Sequence, residues 1–99
     1  MKIRFSKGDP DKIIQSVKEE IEKKDLNHLV QIIKEKVHLQ LKFTQLGTTT
    51  LLFREEPRVR GALWILEKEK VALTHRVFKT KMTEKVHKII KEMGGELVT

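Results

Sequence analysis

A chain of 99 residues is one domain's worth of protein, because a compact domain runs to ~100–150 residues and two separate cores at this length would each be too small. Its composition, 38% hydrophobic and 35% charged, supplies one core, and no run nears the ~18 consecutive apolar residues of a membrane-spanning helix. The lack of cysteine excludes disulfides, thiolate metal sites and thiol nucleophiles, while 21 Lys and Arg against 14 Asp and Glu leave a net charge of +7 that draws anionic partners.

Met1 to Gly8 is basic but has no apolar stretch of ~7–15 residues behind it, so it does not read as a signal peptide, and an intracellular, cytoplasmic chain is expected. Lys and Glu dominate the charged residues while Asn and Gln are few, a thermophile-like balance. Lys2 to Phe5 alternates, with Ile3 and Phe5 on one side, and predicts a first strand. In Gly8-Asp9-Pro10-Asp11, Asp9 is suited to cap a helix, Pro10 to its first position and Asp11 to its positive dipole end. Ile13, Ile14, Val17 and Ile21 then line one helical face, with Lys23 and Lys24 at the C-terminal end.

Leu26, Leu29, Val30, Ile33 and Val37 recur at helical intervals, which predicts a second short helix over Leu26 to Lys36. From Val37 the period becomes two: Val37, Leu39, Leu41 and Phe43 alternate with His38, Gln40, Lys42 and Thr44, the pattern of a half-buried strand. Gly47 marks a turn, and Thr48 to Arg54 returns as the hairpin partner. Glu55-Glu56-Pro57 breaks the pattern before another strand, Arg58 to Leu66, and Glu67-Lys68-Glu69-Lys70 reads as a charged turn into a strand over Val71 to Phe78. After a junction at Lys79 to Met82, a last helix capped by Thr80 or Thr83 aligns Met82, Val86, Ile89, Ile90 and Met93. Gly94-Gly95 stops it, and Glu96 to Thr99 either adds an edge strand or frays.

The predicted order, β-α-α-β-β-β-β-α with or without a final strand, is an α+β two-layer sandwich: a four-to-five-stranded antiparallel sheet with helices on one face. In element order it resembles the TATA-binding-protein-like fold, a β-α-β4-α unit used by DNA-binding saddles, by ribonuclease substrate-binding domains and by small lipid-contacting domains. The additional helix over Leu26 to Lys36 departs from that unit and leaves a helix-grip or ferredoxin-like variant as the other arrangement. No residue motif accompanies the resemblance, and it assigns no functional residue.

With Val37, Leu39, Leu41, Phe43, Leu51, Phe53, Leu63, Ile65, Val71, Leu73 and Val77 turned to the helices, the other sheet face carries His38, Gln40, Lys42, Thr50, Leu52, Arg54, Ala62, Trp64, Leu66, Thr74, Arg76 and Phe78. Leu52, Trp64, Leu66 and Phe78 would form an apolar patch there, serving either as a self-association surface or as a platform on which Trp64 and Phe78 stack bases while Lys42, Arg54 and Arg76 neutralise phosphates. The densest basic stretch is Arg76 to Lys91, where Arg76, Lys79, Lys81, Lys85, Lys88 and Lys91 meet a single acid, Glu84, and could track a phosphate backbone or anionic lipid. Its plainer reading is a solvated helix face with Glu84 and Lys88 paired.

His28, His38, His75 and His87 lack metal-ligand spacing, and His75 sits in a core position between Leu73 and Val77. Glu55 with Glu56 and Glu67 with Glu69 read as turn carboxylates rather than acid–base pairs. Gly47-Thr48-Thr49-Thr50 lacks the lysine and following helix of a phosphate loop, and Ser6 and Ser16 have no neighbouring His and acid. The expectation is therefore a non-enzymatic binding module without cofactor or metal, contacting nucleic acid or another polyanion through the basic C-terminal helix and sheet rim. A homodimeric assembly protein joined around Trp64 is the second reading, and a carrier of a small apolar ligand between sheet and helices is the third.

Overall fold

The computed structural model describes residues 1–44, 47–72 and 79–98, the side chains of 79–83 excepted. The elements run β1 (Lys2–Phe5), α1 (Pro10–Lys23), β2 (Val30–Glu35), β3 (His38–Thr44), β4 (Thr48–Glu56), β5 (Ala62–Lys70), α2 (Lys79–Glu92) and β6 (Gly95–Val98). The six strands form one antiparallel sheet in the order β2-β3-β4-β5-β1-β6. Both helices pack on the same face, where Ile14, Val17 and Ile21 of α1 and Val86, Ile89 and Ile90 of α2 close one core over the inward strand residues. The fold is thus α+β with two layers, and its sheet has six strands among the described residues rather than four or five.

Asp9 caps α1: its backbone is extended and its carboxylate accepts the N–H groups of Asp11 and Lys12 at 2.9 and 3.4 Å. The segment expected as a second helix is instead a turn over 24–29 followed by β2. Asp25 takes a positive φ of 57°, and a hairpin turn with Lys36 at φ 53° ends the strand six residues on, leaving too little chain for a stable helix. Pairing of the β-branched residues Val30, Ile32 and Ile33 with β3 decides the conformation. Val37, expected in the core, lies in the hairpin turn and is exposed.

β3 and β4 bury the expected residues, Leu39, Leu41, Phe43, Leu51 and Phe53. β4 continues through Glu55 and Glu56 instead of breaking there, and β5 continues through Glu67 to Lys70, the expected turn. The strand expected over Val71 to Phe78 is not formed at Val71 and Ala72; its remainder, with Leu73, Thr74, His75, Arg76, Val77 and Phe78, lies outside the described residues. α2 begins at Lys79, one residue ahead of Thr80 and four ahead of Thr83, the two expected caps.

The larger correction concerns which way β5 faces. Ala62 and Trp64 are buried against the helices and Leu66 packs on the same core, whereas Leu63 and Ile65 point to the open face. The run Leu63-Trp64-Ile65-Leu66 is apolar at both parities, so alternation cannot assign its phase. Two contacts assign it: the Trp64 ring meets Phe5 edge-on, centroids 6.2 Å apart, and its indole N–H donates to Glu55 Oε1 at 3.2 Å. A β-bulge follows, with Phe53 opposite Leu66 but Leu52 opposite Lys68, so Glu67 is the additional residue.

Candidate functional site

The uncovered sheet face is built in cross-strand rows. One row is Gln31, Lys42, Thr50 and Lys70, and the next is Ile33, Gln40, Leu52 and Lys68. The third runs Glu35, His38, Arg54, Ile65, Lys2 and Val98, and a last row sets Glu56, Leu63, Arg4 and Glu96 side by side. Because neighbouring strands lie about 4.8 Å apart, Lys42 and Lys70 flank Thr50 at about 10 Å across the sheet.

The arginines of this face are committed to its glutamates. Arg54 holds Glu56 at 2.6 Å and Glu67 at 3.5 Å, Arg4 pairs with Glu96, and His38 Nε2 lies 3.5 Å from Glu67. Lys2, Lys42, Lys68 and Lys70 have no ion pair with any described residue. The bulge creates this arrangement by turning Lys68 and Lys70 to the open face. No alternation in Glu67-Lys68-Glu69-Lys70 marks these lysines, since the run is charged at every position and reads as a turn, and Lys2 stands in a strand of only four residues.

Of the residues singled out from sequence, Lys42, Leu52 and Arg54 lie on this face, with Leu52 half-buried. Trp64, expected there for stacking or self-association, is only 1% exposed and faces the helices, as does Leu66. A buried indole stacks on no base and joins no second copy, so the patch around Trp64 does not exist as a surface. Arg76 and Phe78 lie outside the described residues, and of Lys79 and Lys81 only the helical backbone is described. Lys85, Lys88 and Lys91 are exposed on α2, beside exposed Glu84 and Glu92, with Glu92 3.4 Å from Lys24. They sit on the helix layer, the side of the sandwich away from Lys42, Lys68 and Lys70, so the basic helix and the sheet lysines are two surfaces rather than one.

Glu55 and Glu56 point to opposite faces and form no carboxylate pair. Glu55 instead accepts from Trp64 and lies 3.6 Å from Lys34 Nζ, which also binds Asp11 at the start of α1. The contacts tie α1, β2, β4 and β5 together and explain how a strand at the sheet edge carries an inward lysine. The hydrogen bond to Asp11 raises the Lys34 pKa above the ordinary 10.5 against an opposing effect of burial, with the charge of Glu55 adding to the rise. A base whose folded pKa exceeds its unfolded one stabilises in full below the unfolded value and loses that contribution as pH rises through the folded value. Lys34→Met is therefore expected to cost about 1 kcal/mol at neutral pH. In denaturant titrations the gap between wild type and variant should stay level through neutral pH and close above about pH 10.5. A gap that persists in strong alkali would show that packing of the stem, not charge, is responsible.

Among the described residues no three of His, Asp and Glu converge as a metal site, and no helix is long and apolar enough to cross a membrane. The apolar space between sheet and helices, bordered by Phe5, Val17, Leu41 and Trp64, amounts to about 30 Å³. That is far below the ~300–1,000 Å³ of small-molecule pockets. An open cleft of about 370 Å³ lies at the far end of the sheet between Arg58, Ser6 and the Arg4–Glu96 pair, with α2 ending above it at Gly94 and Gly95. The carbonyl end of a helix disfavours an anion there, and Glu96 already satisfies Arg4. No protein-family model, curated protein or solved structure matches the chain.

Proposed function

We propose that the chain is a non-enzymatic binding module for a polyanion, nucleic acid foremost, and that it meets this partner with its open sheet face. The observation that carries the reading is the set of four lysines, Lys2, Lys42, Lys68 and Lys70, without carboxylate partners among the described residues, while three of the face's glutamates are held by Arg4, Arg54 and His38. Such lysines exchange counterions for phosphates at little cost, and Thr44, Thr48 and Thr50 offer hydroxyl donors beside them. With Trp64 in the core, contact would be to the backbone rather than by base stacking. Further support comes from element order: β1-α1-β2-β3-β4-β5-α2 runs β-α-β4-α, which resembles the TATA-binding-protein-like unit, an analogy of architecture alone.

The test is an anisotropy titration of labelled single- and double-stranded oligonucleotides over a range of salt concentrations. Replacing Lys42, Lys68 and Lys70 together by Ala should weaken binding and reduce the log–log salt slope by about two units, at ~0.7–0.9 per lost phosphate contact. Charge reversal of Lys85 and Lys88 on α2 should leave that slope nearly unchanged. If the α2 variant loses the slope and the sheet variant keeps it, the binding surface is the basic helix. If wild type binds neither oligonucleotide at low salt, the nucleic-acid reading falls.

A further inference from the structure

β2 is an outer strand of the sheet, and main-chain hydrogen bonds at its ends fix which of its main-chain groups face outward. The Glu55 N–H donates to the Val37 carbonyl at 2.6 Å, which gives Leu39, Leu41 and Phe43 to the β4 ladder and leaves His38, Gln40 and Lys42 to bond β2. The bond from Thr44 N–H to the Leu29 carbonyl, 2.9 Å, has the same phase. Through the pairs Gln31↔Lys42, Ile33↔Gln40 and Glu35↔His38, residues 31, 33 and 35 bond inward and Val30, Ile32 and Lys34 point away from the sheet. The Val30 N–H is taken by the Leu26 carbonyl at 2.9 Å, so the turn before the strand closes that end. What remains, among the described residues, is a free stretch from Gln31 to Glu35 whose outward donors and acceptors belong to Ile32 and Lys34, with Ile33 at its centre.

We propose that this stretch pairs antiparallel with the same stretch of a second copy of the chain, about a two-fold axis through Ile33. In that register Ile32 lies opposite the partner's Lys34 and Lys34 opposite the partner's Ile32, so all four outward N–H groups find carbonyls. Ile33 meets the partner's Ile33 at a non-hydrogen-bonded position, where side chains approach most closely. Ile33 is 38% exposed on the open face, a large apolar side chain left uncovered by the described residues. Val37, at the tip of the same hairpin and 49% exposed, would extend toward the partner's groove between α1 and β2, a space of about 340 Å³ bordered by Ile21, Val30 and Ile32.

Inward-pointing lysines usually guard a strand edge against pairing. Lys34 is a weak guard, because Asp11 and Glu55 already neutralise it. Charge complementarity on the helix layer favours the same arrangement. Asp11 reaches down to β2 through Lys34, and Lys18 and Glu22 rim the groove further along, so this flank of α1 carries an acid at its start and the cation Lys18 with Glu22 one turn beyond it. The two-fold lays α1 antiparallel to the partner's α1 and sets Lys18 toward the partner's Asp11. The two six-stranded sheets become one, with both open faces on the same side.

Light scattering of the wild-type chain without nucleic acid should give twice the 11.6 kDa chain mass, falling toward 11.6 kDa on dilution. Ile33→Asp, a change at an exposed outward position, should keep the fold by circular dichroism and abolish the dimer. The chain has no cysteine, so Ile33→Cys introduces a single thiol on the axis. With the same added disulfide oxidant, it should form a covalent dimer ~1,000-fold faster than Val59→Cys at the exposed β4–β5 loop, since pairing raises the local thiol concentration from micromolar to millimolar. A chain that stays at 11.6 kDa throughout, a dimer that survives Ile33→Asp, an open polymer, or equal oxidation of the two cysteine variants would each overturn the proposal.

Discussion

Trp64→Ala is expected to lower the unfolding free energy by about 3–5 kcal/mol, which in a domain of this size lowers Tm by at least about 12 °C. The side chain is among the largest that the core buries completely, and its loss removes the edge contact with Phe5 and leaves a hole beneath both helices. Trp64→Phe separates the two parts of the effect. The ring face is retained while the indole N–H is lost, and Glu55, still beside Lys34, loses one partner at a cost of about 1 kcal/mol. Urea titrations of the three proteins check this ranking. If Trp64→Ala proved as mild as Trp64→Phe, the tryptophan would have to face solvent, and the phase assigned to β5 would be wrong.

Gly61→Ala should be comparably damaging for a reason that has nothing to do with cavities. Gly61 has a φ of +70°, and a Cβ there would lie 1.9 Å from the Phe5 carbonyl oxygen and 2.7 Å from the Ser6 carbonyl carbon. The left-handed backbone alone disfavours alanine by about 1–2 kcal/mol. The collision is with main chain, which has no rotamer to escape into, so β1 must shift away from β5 at the Phe5–Ala62 end of the ladder. Gly94 is the internal control: its φ is +88°, but a Cβ there meets nothing within 4 Å. Gly94→Ala should therefore show the backbone cost alone, and Gly61→Ala at least about 2 kcal/mol more. Equal costs for the two would mean that β1 and β5 can separate at Gly61 without penalty.

The parts of this fold legible in the sequence are those where a local signal and the tertiary structure agree. Asp9-Pro10-Asp11 starts a helix by chemistry that needs no distant contact, and Leu39, Leu41 and Phe43 alternate cleanly because one face of β3 is buried. At 26–36 the spacing of Leu26, Leu29, Val30 and Ile33 fits a helix, and only pairing with β3 overrides it. The facing of β5 was illegible for a different reason: Leu63, Trp64, Ile65 and Leu66 offer the core an apolar residue at either parity. Both choices place Ile65 or Trp64 acceptably until Phe5 and Glu55 approach from elsewhere in the chain.

The candidate site inherits that illegibility. Lys42 and Arg54 could be placed because β3 and β4 alternate, yet Arg54 turns out to be occupied by Glu56 and Glu67. Lys68 and Lys70 reach the face only through a bulge, and a bulge of one residue leaves no pattern in a stretch that is charged at every position.

That stretch, Glu67-Lys68-Glu69-Lys70, holds two opposite surfaces interleaved. In the observed frame Lys68 and Lys70 stand opposite Leu52 and Thr50 on the open side, with Glu69 opposite Leu51 on the other. Without the additional residue at Glu67, the same four side chains would show Glu67 and Glu69 to the open side, and a corner that presents two ammonium groups would present two carboxylates instead. The electrical sign of this surface is thus set by the pairing frame of the strand rather than by composition. A one-residue slip, with no substitution and no change in net charge, would be enough to invert it.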